Sequence, residues 1–351
     1  MDTITQGLLG AAIGQAAFGK RLGRGAVVWG AAGGAIPDLD ILPSAFLGSV
    51  GDMLYHRGPT HALWFGAVLA PVCGYGVWRW YGRKAAKAGK PPPGRGELWW
   101  WMGLFLAVMV THPLLDVFTS YGTQLFTPFS DARVSVHGVS IIDPVYSLLL
   151  IAALVAGRAW RSKPVVGMAA AAGALVLTTS YLFYGWHLNE QAKERARTQL
   201  EAEGAEVSRV SSYPTFLQLF QRRIVARTAG GEVRVANISM WKDPQPIAWA
   251  RYTPPDHPFI EKALQTRDGK IFQWFCLQEY AARVIESDDR VIVRIDDLRY
   301  GMDASKVEGI WGMQAVFDRQ GKLLSPPARF NRHRPGNMWE TLGKMWRDTF
   351  G

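Results

Sequence analysis

Hydrophobic residues are distributed unevenly along the chain and divide it into two halves. Up to Trp186 the sequence is rich in Gly, Ala, Leu, Val and Trp, with long stretches that have few or no charges, whereas from His187 onward a charged residue occurs every few positions. A helix that crosses a bilayer needs roughly 20 mostly apolar residues. The apolar stretches therefore predict membrane helices at residues 62–81, 98–115, 145–160 and 165–186.

Two further apolar stretches lie near the N-terminus, and each is shorter. Residues 7–18 and 25–36 are rich in Gly and Ala, and a basic segment at 20–24 separates them. Because small residues let membrane helices pack closely, we expect these two short helices to form a hairpin. The pattern of residues 1–186 therefore predicts a mainly α-helical polytopic membrane domain with about six short or full membrane helices.

The second half, residues 187–351, has the pattern of a water-soluble domain. Runs of β-branched and aromatic residues alternate with Pro-rich loops and Asp-Gly turns, which is typical of short strands. Strands are predicted at residues 232–240, 246–252, 290–296 and 311–317, and helices at 189–203, 257–267 and 338–350. We therefore expect a soluble α+β domain after the membrane domain.

Charge predicts the orientation of the chain. Basic residues of the first half gather in three loops, at residues 20–24, 83–95 and 158–163, and Lys- and Arg-rich loops face the cytoplasm in membrane proteins. The aspartates then fall on the opposite side. This predicts a multi-pass protein of the bacterial inner membrane whose C-terminal domain is extracytoplasmic. The same rule accounts for the net charge of +10, so we expect no nucleic-acid partner.

Histidine and aspartate residues gather at the predicted outer ends of three helices. They lie in three short motifs: IPDLD with Asp38 and Asp40, HRGPTH with His56, Arg57 and His61, and THPLLD with His112 and Asp116. Ionisable groups near a bilayer are costly and point to function. Imidazole nitrogen and carboxylate oxygen are ligands of Zn²⁺ and also of Mn²⁺. We therefore predict a divalent metal site, most simply for Zn²⁺, that activates water, with Arg57 holding an anionic oxygen such as a phosphate.

Other histidines and aspartates are weaker candidates. His137 and Asp143 precede the helix at 145–160 and could act as acid and base, or could equally shape their loop. Asp2 could join the site, but capping of the first helix explains it as well. Three further histidines have no partner at ligand spacing and are interpreted as structural: His187, His257 and His333.

The motifs of the first half resemble the YdjM-like family of inner-membrane, metal-dependent hydrolases. The resemblance lies in MDTITQGLLGAAIG, IPDLD, HRGPTH and THPLLDVFTSYGTQLFTP. That family looks distantly similar to zinc-dependent phospholipase C and to single-strand nucleases, which cleave phosphoesters.

This resemblance implies a set of ligands and one departure. It implies Asp40, His61, His112 and Asp116 as metal ligands, with Asp38 and His56 near them. Many members of the family have His where this chain has Gln6. The number of metals that the site holds is therefore in question.

Three functions are consistent with these features. The first is a membrane-embedded, metal-dependent hydrolase of a phosphoester in a lipid or lipid-linked substrate. The second is a non-catalytic membrane anchor whose histidines and aspartates bind a structural metal, which would be a closed, four-coordinate site. The third is a transporter, which is disfavoured because the ionisable groups lie at helix ends and not near the middle of the membrane.

Overall fold

A computed structural model describes residues 1–44, 46–48, 50–332 and 338–351 of the chain. These residues form two compact units. The first unit comprises Met1–Leu42, Tyr55–Val136 and Ile141–Tyr184, and the second comprises Pro43–Leu54, His137–Ser140 and Gly185–Gly351. Two short segments of the first half thus belong to the second unit, and the sequence-based boundary after residue 186 stays a prediction.

The first unit begins with a helical hairpin. Helix α1 (Thr3–Ile13) continues through a π-helical turn (Gly14–Phe18) into α2 (Gly19–Leu22), and α3 (Gly25–Ala35) returns along α1. Glycines make this close approach possible: a Cβ atom on Gly10 would lie 2.1 Å from the carbonyl oxygen of Gly30. The predicted hairpin of short helices is confirmed.

Short turns follow the hairpin and lead into longer helices. They are a 3-10 turn (Pro37–Asp40), α4 (Ile41–Ser44), α5 (Gly51–Tyr55) and a second 3-10 turn (Pro59–His61). The longer helices are α6 (Leu63–Lys87), α7 (Arg95–Val117), α8 (Pro144–Ala159) and α9 (Pro164–Ala202). Helices α6 and α7 pack against each other, and α7 also contacts α3.

The number of helices that could cross a membrane is smaller than the sequence suggested. Within the described residues, α7 and α9 are long and apolar enough, and α6 becomes a third candidate if it is joined to Gly51–His61 across a bend of 62°. Helix α3 has 11 residues, which corresponds to about 16 Å and so to about half of the hydrocarbon core. The structure therefore supports two or three membrane-spanning candidates and not about six, because apolar Gly/Ala stretches here form short helices that pack on one another.

Helix α9 joins two elements that the sequence separated. The predicted membrane helix at 165–186 and the predicted charged helix at 189–203 form one helix of 39 residues. No Pro or Gly stands between Trp186 and Asn189 to end the first part.

The second unit contains two antiparallel four-stranded sheets, which confirms a soluble α+β domain. The first sheet has β1 (Val207–Pro214), β2 (Gln221–Thr228), β3 (Val233–Ser239) and β4 (Ala250–Tyr252) in sequential order. The second has β5 (Tyr280–Glu286), β6 (Arg290–Asp297), β7 (Trp311–Asp318) and β8 (Leu323–Asn331), also in sequential order. Helices α10 (Pro258–Gln265) and α11 (Arg267–Phe275) connect the sheets, and α12 (Met338–Phe350) follows them.

The end of α9 forms part of the core of this second unit. Ala192, Ala196 and Leu200 recur every four residues and pack against the first sheet, where they meet Ile224 of β2 and Ala236 of β3. The spacing places them on one face of the helix. The helix that leaves the apolar stretch is thus built into the domain that follows it.

The glycine contact in the hairpin gives a first prediction. Gly10→Ala should lower the melting temperature in detergent, because its methyl group would overlap the backbone of α3 and overpacking costs about 1–3 kcal/mol. Gly7→Ala is the matched control, since its Cβ would lie 3.6 Å from the nearest atom, the carbonyl oxygen of Ala31. Thermal unfolding followed by circular dichroism measures both variants. Equal melting temperatures would contradict the packing of α1 on α3.

Candidate metal centre

Four side chains from three parts of the first unit meet at one point. Ligand atoms of Asp38, His61, His112 and Asp116 all lie within 4.8 Å of one another. The two histidines and Asp116 have no exposed surface, and Asp38 is 7% exposed. The structure therefore brings together residues of all three motifs that the sequence identified.

Prolines shape the three segments that hold these residues. Pro37 and Pro59 each begin a 3-10 turn, which presents Asp38 and His61, and proline suits the first position of such a turn because its φ is already fixed there. In α7 the helix continues through Pro113. His112 and Asp116, four residues apart, therefore stay on one helix face.

Five distances between the ligand atoms are close to the edge length of a tetrahedral metal site. His61 Nε2 lies 3.0 Å from His112 Nε2, and these nitrogens lie 3.5 and 3.4 Å from Asp38 Oδ1. Asp116 Oδ2 lies 3.2 Å from His61 Nε2 and 3.8 Å from His112 Nε2. A metal with ligands at about 2.1 Å requires tetrahedron edges of about 3.4 Å. The donor set and its spacing therefore fit Zn²⁺ or a similar divalent ion.

Both imidazoles are oriented by acceptors on their far side. His112 Nδ1 is 2.6 Å from the carbonyl oxygen of Gly34, and His61 Nδ1 is 3.1 Å from Asp40 Oδ2. A hydrogen on Nδ1 donated to these oxygens leaves the lone pair of each Nε2 directed at the shared point. This is the usual arrangement behind histidine ligands of metals.

Asp40 organises the HRGPTH segment. Its carboxylate accepts from the Arg57 backbone N–H at 3.0 Å and from Thr60 Oγ1 at 2.8 Å, and it lies 2.8 Å from His56 Nδ1. Burial opposes its ionisation, but hydrogen bonds from His56 and His61 outweigh burial and hold the pKa of Asp40 well below its usual range. The two aspartates of IPDLD thus exchange the places that the family resemblance implied: Asp38 joins the four-residue group, and Asp40 stands behind His61.

Arg57 is directed at Asp116. The guanidinium is 2% exposed, its Nε lies 3.2 Å from Asp116 Oδ2, and its Nη1 donates to Thr119 Oγ1 at 2.7 Å. The backbone of Arg57 has a φ of 58°, which residues other than Gly adopt only with some strain. Arg57 therefore holds a ligand carboxylate in place, and its predicted role in binding an anion stays a prediction.

A second arginine, which the sequence did not single out, lies in the same region. The guanidinium groups of Arg57 and Arg133 lie 4.9 and 5.1 Å from the ring centroid of Tyr121. Arg133 also donates from Nη2 to the carbonyl oxygen of Gly122 at 2.9 Å. The pair places two positive charges beside one aromatic ring near Asp116.

Gln6 occupies a position next to two of the four residues. Its Nε2 donates to Asp116 Oδ1 at 3.0 Å and to the carbonyl oxygen of His112 at 3.1 Å, and the Met1 amino group donates to the same Asp116 oxygen. The oxygen of the same amide group, Gln6 Oε1, is buried and accepts no hydrogen bond. The position at which many family members have His thus borders the metal centre.

His137 and Asp143 are not part of the four-residue group. Asp143 caps α8 by accepting from the Tyr146 backbone N–H at 3.1 Å, it accepts from Tyr181 Oη at 2.9 Å, and burial raises its pKa. His137 belongs to the second unit, where its ring packs against Tyr213 and burial lowers its pKa to about 3. These contacts give both residues structural roles, and their predicted acid–base roles stay predictions.

The remaining candidates have local contacts. Asp2 caps α1 by accepting from the Thr5 backbone N–H at 3.0 Å. His257 caps α10 in the same way through Phe259, and His187 is exposed on α9. His333 lies outside the described residues.

Metal content tests the four-residue group. We expect the purified protein to bind a divalent metal that is lost in His61→Ala and in His112→Ala, since each removes a ligand nitrogen. Asp40→Asn should keep the site but weaken metal binding about 10- to 100-fold, because it weakens the acceptor behind His61. His187→Ala, which changes an exposed histidine, is the control. Elemental mass spectrometry after dialysis measures all four, and metal retained by His61→Ala would contradict the assignment.

The motifs and the buried His/Asp group agree with one comparison. The family model described as YdjM inner membrane protein matches residues 1–188 of the chain. No curated protein matches the chain, and neither does any solved structure. The match covers more than half of the sequence and includes every residue of the metal centre. The chain therefore belongs to the YdjM inner membrane protein family.

Proposed function

We propose that this protein is a membrane-embedded, metal-dependent hydrolase that cleaves a phosphoester in a lipid or lipid-linked substrate. The supporting observation is the spacing of the four ligand atoms, which fits a divalent metal, in a unit built from apolar helices. Zn²⁺ suits the donors best, and Mn²⁺ is also compatible. Such an ion would polarise a phosphoryl oxygen and activate a water molecule.

Residues of the chain would orient the metal ligands and move a proton. Asp40 and the Gly34 carbonyl fix the two imidazoles, and Arg57 fixes Asp116. The side chain of His56 is 21% exposed, and its Nδ1 is paired with Asp40. Its ring centroid lies 6.1 Å from that of His61. A histidine held by a carboxylate at this position could protonate the leaving oxygen of a phosphoester.

Two observations support a substrate that is both apolar and anionic. Leu39 and Ile41, which flank Asp40 in the sequence, are exposed next to the metal centre, and apolar surface of this kind suits an acyl chain. Arg57 and Arg133 supply positive charge beside Tyr121. Positive charge near the site favours a phosphoester over a carboxylic ester or amide.

One observation favours a non-catalytic anchor with a structural metal as the second candidate. Four protein side chains each offer one ligand atom to the same point, and structural zinc sites have four protein ligands, whereas catalytic sites keep a position for water. Substitution with Co²⁺ distinguishes the two. A catalytic centre should change its visible spectrum when inorganic phosphate is added, and a closed centre should not.

Hydrolysis of phospholipid in mixed micelles tests the proposed activity. We expect turnover that requires the metal and that falls at least about 100-fold in His61→Ala. His56→Gln should lower the rate by about 10²- to 10⁴-fold, as for a lost proton donor, and should keep its metal. His187→Ala should match the wild type. A metal-loaded, folded protein that cleaves none of a panel of phospholipids and other phosphoesters would favour the anchor.

We also propose that the chain has the membrane orientation that its charge distribution predicts. The basic loops at 83–95 and 158–163 would face the cytoplasm, and the metal centre and second unit would face outward. This orientation requires α8 to return the chain across the membrane. Its 16 residues correspond to about 24 Å, so the bilayer would have to thin around it.

Cysteine labelling tests this orientation. In a Cys73→Ala background, Asp288→Cys should react with a membrane-impermeant thiol reagent outside the inner membrane. Ser162→Cys should react only after the membrane is disrupted. Cys276 is fully buried and can remain. The reverse pattern would contradict the proposed orientation, and labelling of both positions from outside would show that α9 (Pro164–Ala202), which separates them, does not cross the membrane.

A further inference from the structure

The second unit has a group of aromatic side chains at its surface, two of them exposed and two partly buried, that the proposed hydrolase does not use. We call Phe220, Trp241, Trp346 and Phe350 the aromatic patch. Trp241 lies 5.0 Å from Phe220 and 5.5 Å from Phe350, and Trp346 lies 4.6 Å from Phe350, all between ring centroids. Trp241 is 60% exposed and Trp346 is 66% exposed. A contiguous apolar surface of this kind usually marks an interaction site.

Hydrogen bonds place the aromatic patch near the membrane end of the second unit. Thr349 of α12 donates to Gln221 Oε1 at 3.2 Å and accepts through its carbonyl oxygen from Ser239 Oγ at 2.9 Å. Arg222, the next residue after Gln221, donates from Nη2 to the carbonyl oxygen of Gly185 at 2.7 Å. The aromatic patch thus borders the strand end that is attached to α9 at Gly185.

Gly185 lies close to the end of the apolar stretch of α9. The apolar run of the helix ends at Trp186, which is exposed, and Glu190 follows within about one turn. Trp residues concentrate where a membrane helix meets the headgroup layer. The aromatic patch therefore lies near the residues at which the apolar stretch of α9 ends.

The composition of the aromatic patch matches a headgroup layer. Lys242 and Arg347 lie at its edge, and Lys242 Nζ donates to the carbonyl oxygen of Arg347 at 3.1 Å. In α12, Met345 and Thr349 are buried, while Trp346 and Arg347 are exposed. Exposed Trp with adjacent Lys and Arg is typical of helices that lie in the membrane interface, where the cations reach lipid phosphates.

We propose that the aromatic patch binds the surface of the phospholipid bilayer that α9 enters, with α12 lying in the headgroup layer. A lipid surface is favoured over a protein partner because the aromatic patch continues from the membrane end of α9 and combines indole rings with cations. Contact with lipid would hold the second unit at the membrane in addition to its attachment through α9.

Depth-dependent quenching in nanodiscs tests this proposal on the full chain. In the Cys73→Ala background, Trp346→Cys and, separately, Trp241→Cys receive an environment-sensitive fluorophore. Leu324→Cys is the matched control, because Leu324 is also a large exposed apolar side chain, at 54%, but lies in β8 of the other sheet. The nanodiscs contain phosphatidylcholine and phosphatidylglycerol with a nitroxide placed just below the headgroup. Iodide serves as the quencher in water.

The proposal predicts opposite behaviour at the two kinds of position. Fluorophores at 346 and 241 should be quenched by the nitroxide at least twofold more than the one at 324, and iodide should quench them less. Equal quenching at all three positions would overturn lipid contact. Protection from both quenchers would also overturn it and would indicate that a protein, such as a second copy of the chain, covers the aromatic patch.

Discussion

Two carboxylates buried with two imidazoles are the constraint on which the metal centre depends. Asp38 and Asp116 sit within 4.8 Å of each other and of His61 and His112, and each carboxylate has an Oδ2 that is buried and accepts no hydrogen bond. Arg57 and the Met1 amino group compensate the charge of Asp116, whereas Asp38 faces the two histidines. A buried carboxylate without full compensation costs free energy. A divalent cation between the four ligand atoms removes that cost. Binding of a metal should therefore stabilise the fold of the first unit.

The surrounding elements follow from the need to bring these ligands together. Glycines let α1 approach α3 closely, and this places Gln6 beside Asp116 and the Gly34 carbonyl behind His112. The two 3-10 turns begun by proline then supply Asp38 and His61. The short helices that fail to span a membrane thus have a different role, which is to build the wall of the metal centre.

Much of the metal centre was predictable from the sequence. The features that were not predictable have physical reasons. The three motifs contain all four residues of the group, because a ligand set at helix ends stands out against apolar neighbours. The exchange of Asp38 and Asp40 was not predictable, since two aspartates separated by one residue in a tight turn point in directions that only the fold determines. The position of Arg133 near the site was not predictable, because the residue lies in an irregular loop, where no periodicity indicates which side chains are buried.

Four strands of the second unit were not predicted from the sequence: β1, β2, β5 and β8. Strand β2 contains Arg222 and Arg223, which the sequence presents as exposed polar positions, yet both are fully buried. Arg223 donates to the carbonyl oxygens of Leu298 and Glu308, so backbone acceptors, which no sequence pattern reveals, satisfy its N–H groups. Hydropathy alone therefore misplaces a strand whose buried side chains are hydrogen-bonded cations.

Arg222 has a further consequence for the second unit. Its guanidinium bonds the carbonyl oxygens of Gly138 and Gly185, and the Ala192, Ala196 and Leu200 face of α9 packs on the same sheet. Two sets of contacts thus attach the first sheet to the C-terminal part of α9. Hydrogen bonds from Arg222 lie near the apolar stretch, and the apolar packing lies farther along the helix. Rotation of the domain about this helix end would break both. The face that borders Gly185, with its exposed Trp241 and Trp346, is consequently held at one level along α9, and a fixed level is what a surface needs in order to meet a bilayer.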